Sequence, residues 1–149
     1  MFRGTFSHSI DEKGRLAVPR RFREQLASLE DQVVVITKCL DPRFRCLDLY
    51  PESEWARLEA RIRAMPPFDP RTVDFKRLYI HPAQDQALDA QGRILVPAEL
   101  RAHAGLDKEA QFTGDLQKFQ LWDLGEWQRA SEALEKAKQD PGFFSDFAL

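Results

Sequence analysis

The sequence predicts a mainly β fold with flanking helices, built from two diverged copies of one unit related by a pseudo-two-fold axis. Three observations carry this. Residues 11–19 read D-E-K-G-R-L-A-V-P and residues 89–97 read D-A-Q-G-R-I-L-V-P, with five of the nine positions identical and Leu16 against Ile94 similar. The likeness continues downstream, where Phe22-Arg23 matches Leu100-Arg101, and Leu49-Tyr50 with Trp55 matches Leu121-Trp122 with Trp127. The offset is 78 residues at the first motif and 72 at the tryptophans, so the second copy lacks six residues of an intervening loop. Finally, a unit of about 50 residues without metal or disulfide buries too little surface to stand alone, so two copies are expected to pack on each other.

Each unit is expected to open with a hairpin. Phe2, Gly4, Phe6, His8 and Ile10 alternate with Arg3, Thr5, Ser7 and Ser9, the period of a strand. Asp11 is suited to accept backbone hydrogen bonds at the head of a turn, and Gly14 to supply a positive φ at its end. Leu16-Ala17-Val18 then returns as a strand. Pro19 fits the first position of a helix, where its missing N–H costs nothing. Phe22, Leu26 and Leu29 follow at i, i+4 and i+7 as an amphipathic face. In the second copy Asp89, Gly92, Arg93 and Pro97 repeat the turn and helix start, and Gly105 is placed to end that helix. Val33–Thr37 with Phe44–Tyr50, and Gln111–Thr113 with Lys118–Trp122, read as further strand pairs.

A longer helix closes each unit. Trp55, Leu58 and Ile62 lie on one face, and Trp127, Ala130 and Leu134 repeat the spacing. Asp123 with Glu126 has the pattern of a capping box. Pro66-Pro67 stops the first of these helices, and Asp69-Pro70 starts a linking helix carrying Val73, Phe75, Leu78 and Tyr79. The expected organisation is a first unit at 1–68 with its hairpin core at about 5–52 and a closing helix. A linking helix follows at 69–80. The second unit, 81–149, has its core at about 81–124, then a C-terminal helix and a phenylalanine-bearing tail. His81 is read as a half-buried strand residue.

Composition narrows the function classes. With 43% hydrophobic and 31% charged residues, the 149-residue chain reads as a soluble globular protein. Its longest aliphatic run, Val33 to Ile36, is far below the roughly 20 residues that span a bilayer, so no membrane partner is expected. Met1–Thr5 has no basic-then-apolar pattern, so a secretory leader is not expected. Cys39 and Cys46 have no second pair to complete a metal site, and a disulfide scaffold is excluded, which favours a reducing cytosol. His8, His81 and His103 are far apart, and no phosphate loop, nucleophile elbow or Cys-His pair is present. No catalytic residue, metal, cofactor or small-molecule substrate is expected, and the chain is not read as an enzyme.

The net charge of −2 argues against nucleic acid, but its distribution does not. Residues 1–23 hold six basic side chains, Arg3, Lys13, Arg15, Arg20, Arg21 and Arg23, against two acidic ones. Residues 76–149 hold nine basic against twelve acidic. Because screening limits each charge to about 8–10 Å, a local basic patch can bind polyanions on a weakly acidic protein.

The hairpin, Asp-x-Lys/Gln-Gly-Arg-x-x-x-Pro turn and short helix resemble the swapped-hairpin unit of AbrB-like transition-state regulators. Two such units beginning M-F-R-G and carrying H-A-G-L (His103–Leu106) and K-F-Q-L-W (Lys118–Trp122) resemble the MraZ family of bacterial transcriptional regulators. The resemblance covers nearly all of residues 1–135. It implies a double-split β-barrel with flanking helices, assembled into a ring-shaped homo-oligomer. It also implies binding to short direct repeats in double-stranded promoter DNA, repression of the protein's own division and cell-wall gene cluster, and a cytoplasmic, nucleoid-associated location. The family motif places Lys13 and Arg15 as DNA contacts. Charge and proximity add Arg3, Arg20, Arg21 and Arg23.

Two readings of the turn arginines remain open at this level. Both Arg15 and Arg93 can pair with the turn aspartate as structural residues. Alternatively, Arg15 presents its planar five-donor fork to phosphate or guanine. Gln91 stands where Lys13 stood and Ala98-Glu99 where Arg20-Arg21 stood, which assigns the DNA face mainly to the first copy. Asp11 and Asp89 read as turn caps, and Trp55 and Trp127 as core anchors. A protein-interaction module and a purely structural oligomer are the competing classes.

Overall fold

A computed structural model describes all 149 residues. The strands are β1 (Thr5–Ser9), β2 (Arg15–Ala17), β3 (Val33–Lys38), β4 (Leu47–Pro51), β5 (Gln84–Ala87), β6 (Arg93–Leu95), β7 (Glu109–Asp115) and β8 (Lys118–Asp123). The helices are α1 (Arg20–Ser28), α2 (Glu52–Arg63), α3 (Pro70–Phe75), α4 (Ala98–Ala104) and α5 (Leu124–Ala137). A π-turn, Lys76–Ile80, continues α3, and a short 3₁₀ turn lies at Ser145–Phe147. The architecture is therefore a mainly antiparallel sheet with flanking helices.

The six-stranded sheet runs β1-β7-β8-β4-β3-β5, and β2 and β6 form a separate two-stranded ribbon. This corrects two expectations. β1 and β2 do not make a hairpin ladder. β1 pairs instead with β7, Ser7 opposite Gln111, and β2 pairs with β6, Leu16 opposite Ile94. The exchange lets Leu16, Val18, Ile94 and Val96, all at most 1% exposed, enter one core that neither copy could enclose alone. The sheet is also not closed into a barrel: β1 and β5 are its two edges and do not pair with each other. Exchanging each strand of the first copy for its counterpart in the second returns the same strand order read backwards.

β3 and β4 lie between other strands and are covered on both faces, which explains why Val33–Ile36 is a continuous aliphatic run. Val34 and Ile36 face the main core with Leu47, Leu49, Phe112, Phe119 and Leu121. Val35 faces the other way, against Trp55 and Leu58 of α2 and Tyr79 of the π-turn. Tyr79 is held at that position by polar bonds as well. Thr37 Oγ1 donates to its carbonyl at 2.6 Å, and its hydroxyl donates to the buried Asp48 carboxylate and contacts Tyr50 Oη at 2.8 Å. The linking segment is thus fastened to the sheet rather than strung between two separate bodies.

Several local expectations need adjustment. Pro19 and Pro97 are the N-cap residues, with ψ of 137° and 146°, so the helices begin one residue later. Their carbonyls already accept the first intrahelical bonds, a position open to any residue with non-helical ψ. Leu29 and Leu134 are exposed, because the first lies past the end of α1 and the second on the last turns of α5, beyond Ala130, that helix's one buried residue. Trp127 is only half-buried, packed on Trp122. His81 caps the end of the π-turn with helical dihedrals and is exposed, not a strand residue, since β5 begins only at Gln84. Asp69, Asp123 and Gly105 cap their helices as expected, but Glu126 bonds Arg45 and Arg129 instead of closing the capping box.

Candidate nucleic-acid interface

The two Asp-x-x-x-Arg turns have the same geometry. Asp11 Oδ1 accepts from the N–H groups of Lys13 and Arg15, each at 2.9 Å, and Oδ2 accepts from Arg15 Nε at 2.8 Å. Asp89 accepts from the N–H groups of Gln91 and Arg93 and from Arg93 Nε, all at 2.9 Å. Asp11 and Asp89 donate their own N–H to the carbonyls of Arg15 and Arg93, and Gly14 and Gly92 close the turns at φ of 87° and 73°. A side chain at either glycine would be strained by that φ alone.

The turns are pinned by each other's unit. Val18 N–H donates to Gly92 O at 3.0 Å, and Val96 N–H donates to Gly14 O at 2.9 Å. Arg101 lies so close over Gly14 that a Cβ there would sit 1.6 Å from its Nη1. Arg23 covers Gly92 in the same way, with a Cβ 2.5 Å from its Cδ. Arg23 Nε also donates to Val18 O at 3.0 Å, so this side chain is engaged inside the molecule. Its partner role across the copies is not encoded in its local sequence, and the matching Arg101 is the only hint.

The ribbon settles which way the turn arginines face. Leu16 and Ile94 point into the core, so Arg15, Ala17, Arg93 and Leu95 share the outward face. Each arginine uses Nε for its aspartate, while its two Nη groups make no hydrogen bond within the protein. Both side chains are about a third exposed, which leaves those donors without a protein partner. Because Val18 is bound to Gly92 and Arg23 covers that glycine, the start of α1 lies beside the second turn. Arg20 pairs with Glu24 and stays highly exposed, and Arg21 is exposed without a partner. One basic side chain of the first copy, Arg23, is thus placed at the second copy's turn. Arg3 is not brought to this face. It lies at the opposite end of β1, beyond Thr5 and next to Gly114, at least about 20 Å along the strand from the first turn.

Both turn carboxylates titrate below the ordinary value of 3.8. Asp11 is lowered most by the Arg15 N–H, then by Arg15 Nε and the Lys13 N–H; the Arg93 N–H leads the same set at Asp89. A depressed carboxylate stabilises the fold above its unfolded pKa and loses that contribution as pH falls through the folded value. The turns should therefore stay intact at pH 4–5 and loosen only in stronger acid. Amide-proton shifts of Lys13, Arg15, Gln91 and Arg93 followed by NMR should show midpoints below 3.8; a midpoint at or above it would contradict the bonding described.

Cys39, Cys46 and Asp48 place one ligand atom each within 4.8 Å of one another, a grouping that sequence spacing does not show because Asp48 arrives by strand alternation. A cation is disfavoured there. The Asp48 carboxylate already accepts from Tyr79 and from Gln120 Nε2 at 2.8 Å, and the Lys118 ammonium lies 3.8 Å away.

The family model for the MraZ protein, described as antitoxin-like, matches residues 1–78 and again residues 79–142. The chain belongs to the MraZ family. Proteins named Transcriptional regulator MraZ from Pseudomonas putida and Pseudomonas entomophila are 45% identical to it over 147 residues, covering 98% of this chain and 95% of theirs. One from Pseudomonas aeruginosa is 44% identical over the same span. The two MraZ matches meet inside the π-turn, and each contains one Asp-x-x-x-Arg turn. These relatives carry regulator names and not enzyme names. No helix of the chain is long and apolar enough to cross a membrane.

Proposed function

We propose that this MraZ-family chain is a transcription regulator that binds short direct repeats in its own promoter and represses a division and cell-wall gene cluster. The observation that carries the reading is the outward face of the β2–β6 ribbon, where Arg15 and Arg93 stand diagonally with unpaired Nη groups. Lys13, Arg20 and Arg21 add exposed charge around it, whereas Arg23 and Arg101 hold the turns in place. A two-stranded ribbon fits a major groove, and an arginine fork there favours guanine. The palindromic strand order supports descent of the two AbrB-like units from one ancestor, related by a pseudo-two-fold axis. Self-association into a ring has a surface available in Met65, Phe68 and Leu78, which are 50%, 92% and 60% exposed on the linking segment. The site of action is the cytoplasmic nucleoid.

Gel-shift titrations on promoter fragments test this. Affinity should fall with salt at a log–log slope of about −0.9 per phosphate contacted. Two repeats spaced one helical turn apart, about 10–10.5 bp, should bind best, and inserting about 5 bp should remove most of the avidity. A slope near zero would sink the electrostatic interface, and flat affinity across spacers would sink the ring.

A further inference from the structure

We propose that Cys39 and Cys46 form a peroxide-sensitive dithiol, in which Cys39 is the reacting sulfur and Cys46 closes an internal disulfide across the β3–β4 hairpin. The reading is independent of DNA binding. Lys38 lies opposite Leu47, and the next pair across the two strands is Cys39 with Cys46, joined by a backbone bond from Cys39 N–H to Cys46 O at 3.1 Å. Directly opposed antiparallel residues have Cα atoms about 4.5–5.5 Å apart, inside the roughly 4.4–6.8 Å that a disulfide spans. The two sulfurs already lie within 4.8 Å, so side-chain rotation suffices and the backbone need not move.

The two thiols differ in the way a reacting and a resolving sulfur should. Cys39 is half-buried and open to a small oxidant, and its Sγ accepts the Asp41 N–H at 3.4 Å. Cys46 is fully buried beneath Trp122 and Ala130. The adjacent Cys46 thiol, assisted by the Asp41 N–H, holds the Cys39 thiol below its ordinary range. The same pairing, together with burial, pushes Cys46 up. Thiolate character and access are what set susceptibility to oxidation.

The chemistry balances with hydrogen peroxide as oxidant. The Cys39 thiolate attacks one peroxide oxygen, the O–O bond breaks, and hydroxide leaves and is protonated to water, giving a sulfenic acid. Cys46 sulfur then attacks Cys39 sulfur. The S–S bond forms as the S–O bond breaks, and the departing hydroxide takes the Cys46 proton as a second water. The sulfurs together lose two electrons and the peroxide gains them.

The test treats the reduced full-length chain with hydrogen peroxide and follows intact mass without reductant. The wild type should lose two hydrogens within a single chain, reversibly with dithiothreitol. Cys46→Ser should accumulate a sulfenic acid at Cys39 that dimedone traps, while Cys39→Ser should react at least about tenfold more slowly at its remaining buried thiol. Retention of both wild-type thiols in peroxide excess would overturn the proposal, as would a bridge formed only between chains. Binding of one zinc ion through both thiols would overturn it in favour of a metal site.

Discussion

The Arg15→Ala, Arg93→Ala double variant should lose about 100-fold or more in promoter affinity while melting within a few degrees of the parent. Each base-reading or phosphate-reading arginine contributes about 1–3 kcal/mol to recognition, and the proposed interface holds two on one face. Their contribution to folding is small, because each is a surface pair about a third exposed, and the aspartate keeps its two backbone N–H bonds when the guanidinium is removed. The sequence reading assigns the DNA face mainly to the first copy, and so to Arg15 rather than Arg93. Their matched environments predict instead that the single variants lose comparable affinity. Fluorescence anisotropy on a promoter duplex, paired with thermal melts, decides it. Parent-like affinity in the double variant would remove the ribbon from recognition altogether.

The largest loss of stability should come from a site remote from that face. A Cβ on Gly114 would lie 2.3 Å from the Arg3 nitrogen and 2.5 Å from Arg3 Cα and the Phe2 carbonyl carbon, all of them backbone atoms. No rotamer change relieves such a contact, so Gly114→Ala must push the N-terminal segment off β7. That breaks the Gly114 N–H bond to Gly4 O and the paired bonds between Phe2 and Leu116. It also withdraws Phe2, 2% exposed, from the rings of Phe22 and Phe119 at 5.4 and 5.0 Å. Losing a buried phenylalanine costs about 3–5 kcal/mol, which in a chain of this size lowers Tm by about 10 °C. Gly142→Ala, whose Cβ would meet only Asp140 Oδ1 at 3.8 Å, is the control and should melt with the parent. Calorimetry that finds the two variants alike would refute the close packing of residues 2–4.

What the sequence disclosed and what it withheld divide along physical lines. The repeat, the turn chemistry of Asp11-Gly14 and Asp89-Gly92, and the helix faces of Trp55 and Leu58 are local, and local rules read them. The alternation of Thr5–Ser9 tells which residues face inward but carries no information about the neighbouring strand, so the exchange of β1 and β2 for partners in the other copy was not visible. The misplaced charge followed from that. Counting arginines along 11–23 treats neighbours in sequence as neighbours in space, whereas the crossing sends Arg23 to the second turn. The grouping of Cys39 with Cys46 and Asp48 was hidden for a similar reason, since only the β3–β4 register brings Cys39 opposite the strand that carries the other two.

The pairing of β1 with β7 also sets a timetable. Ser7 and Gln111, hydrogen-bonded to each other, are 104 residues apart in the chain. At a synthesis rate of about 5–20 residues per second, the first strand leaves the ribosome several seconds or more before its partner exists. For that interval it must remain an unpaired edge without recruiting a neighbouring nascent chain. Its composition suits the wait: Thr5, Ser7 and Ser9 alternate with Phe6 and His8, which leaves no continuous apolar surface to nucleate aggregation. In the stickier aliphatic stretch, Val34, Val35 and Ile36 meet Pro51, Tyr50 and Leu49 of β4, so that edge is paired early. The chain thus delays its long-range closure to the strand best able to tolerate delay.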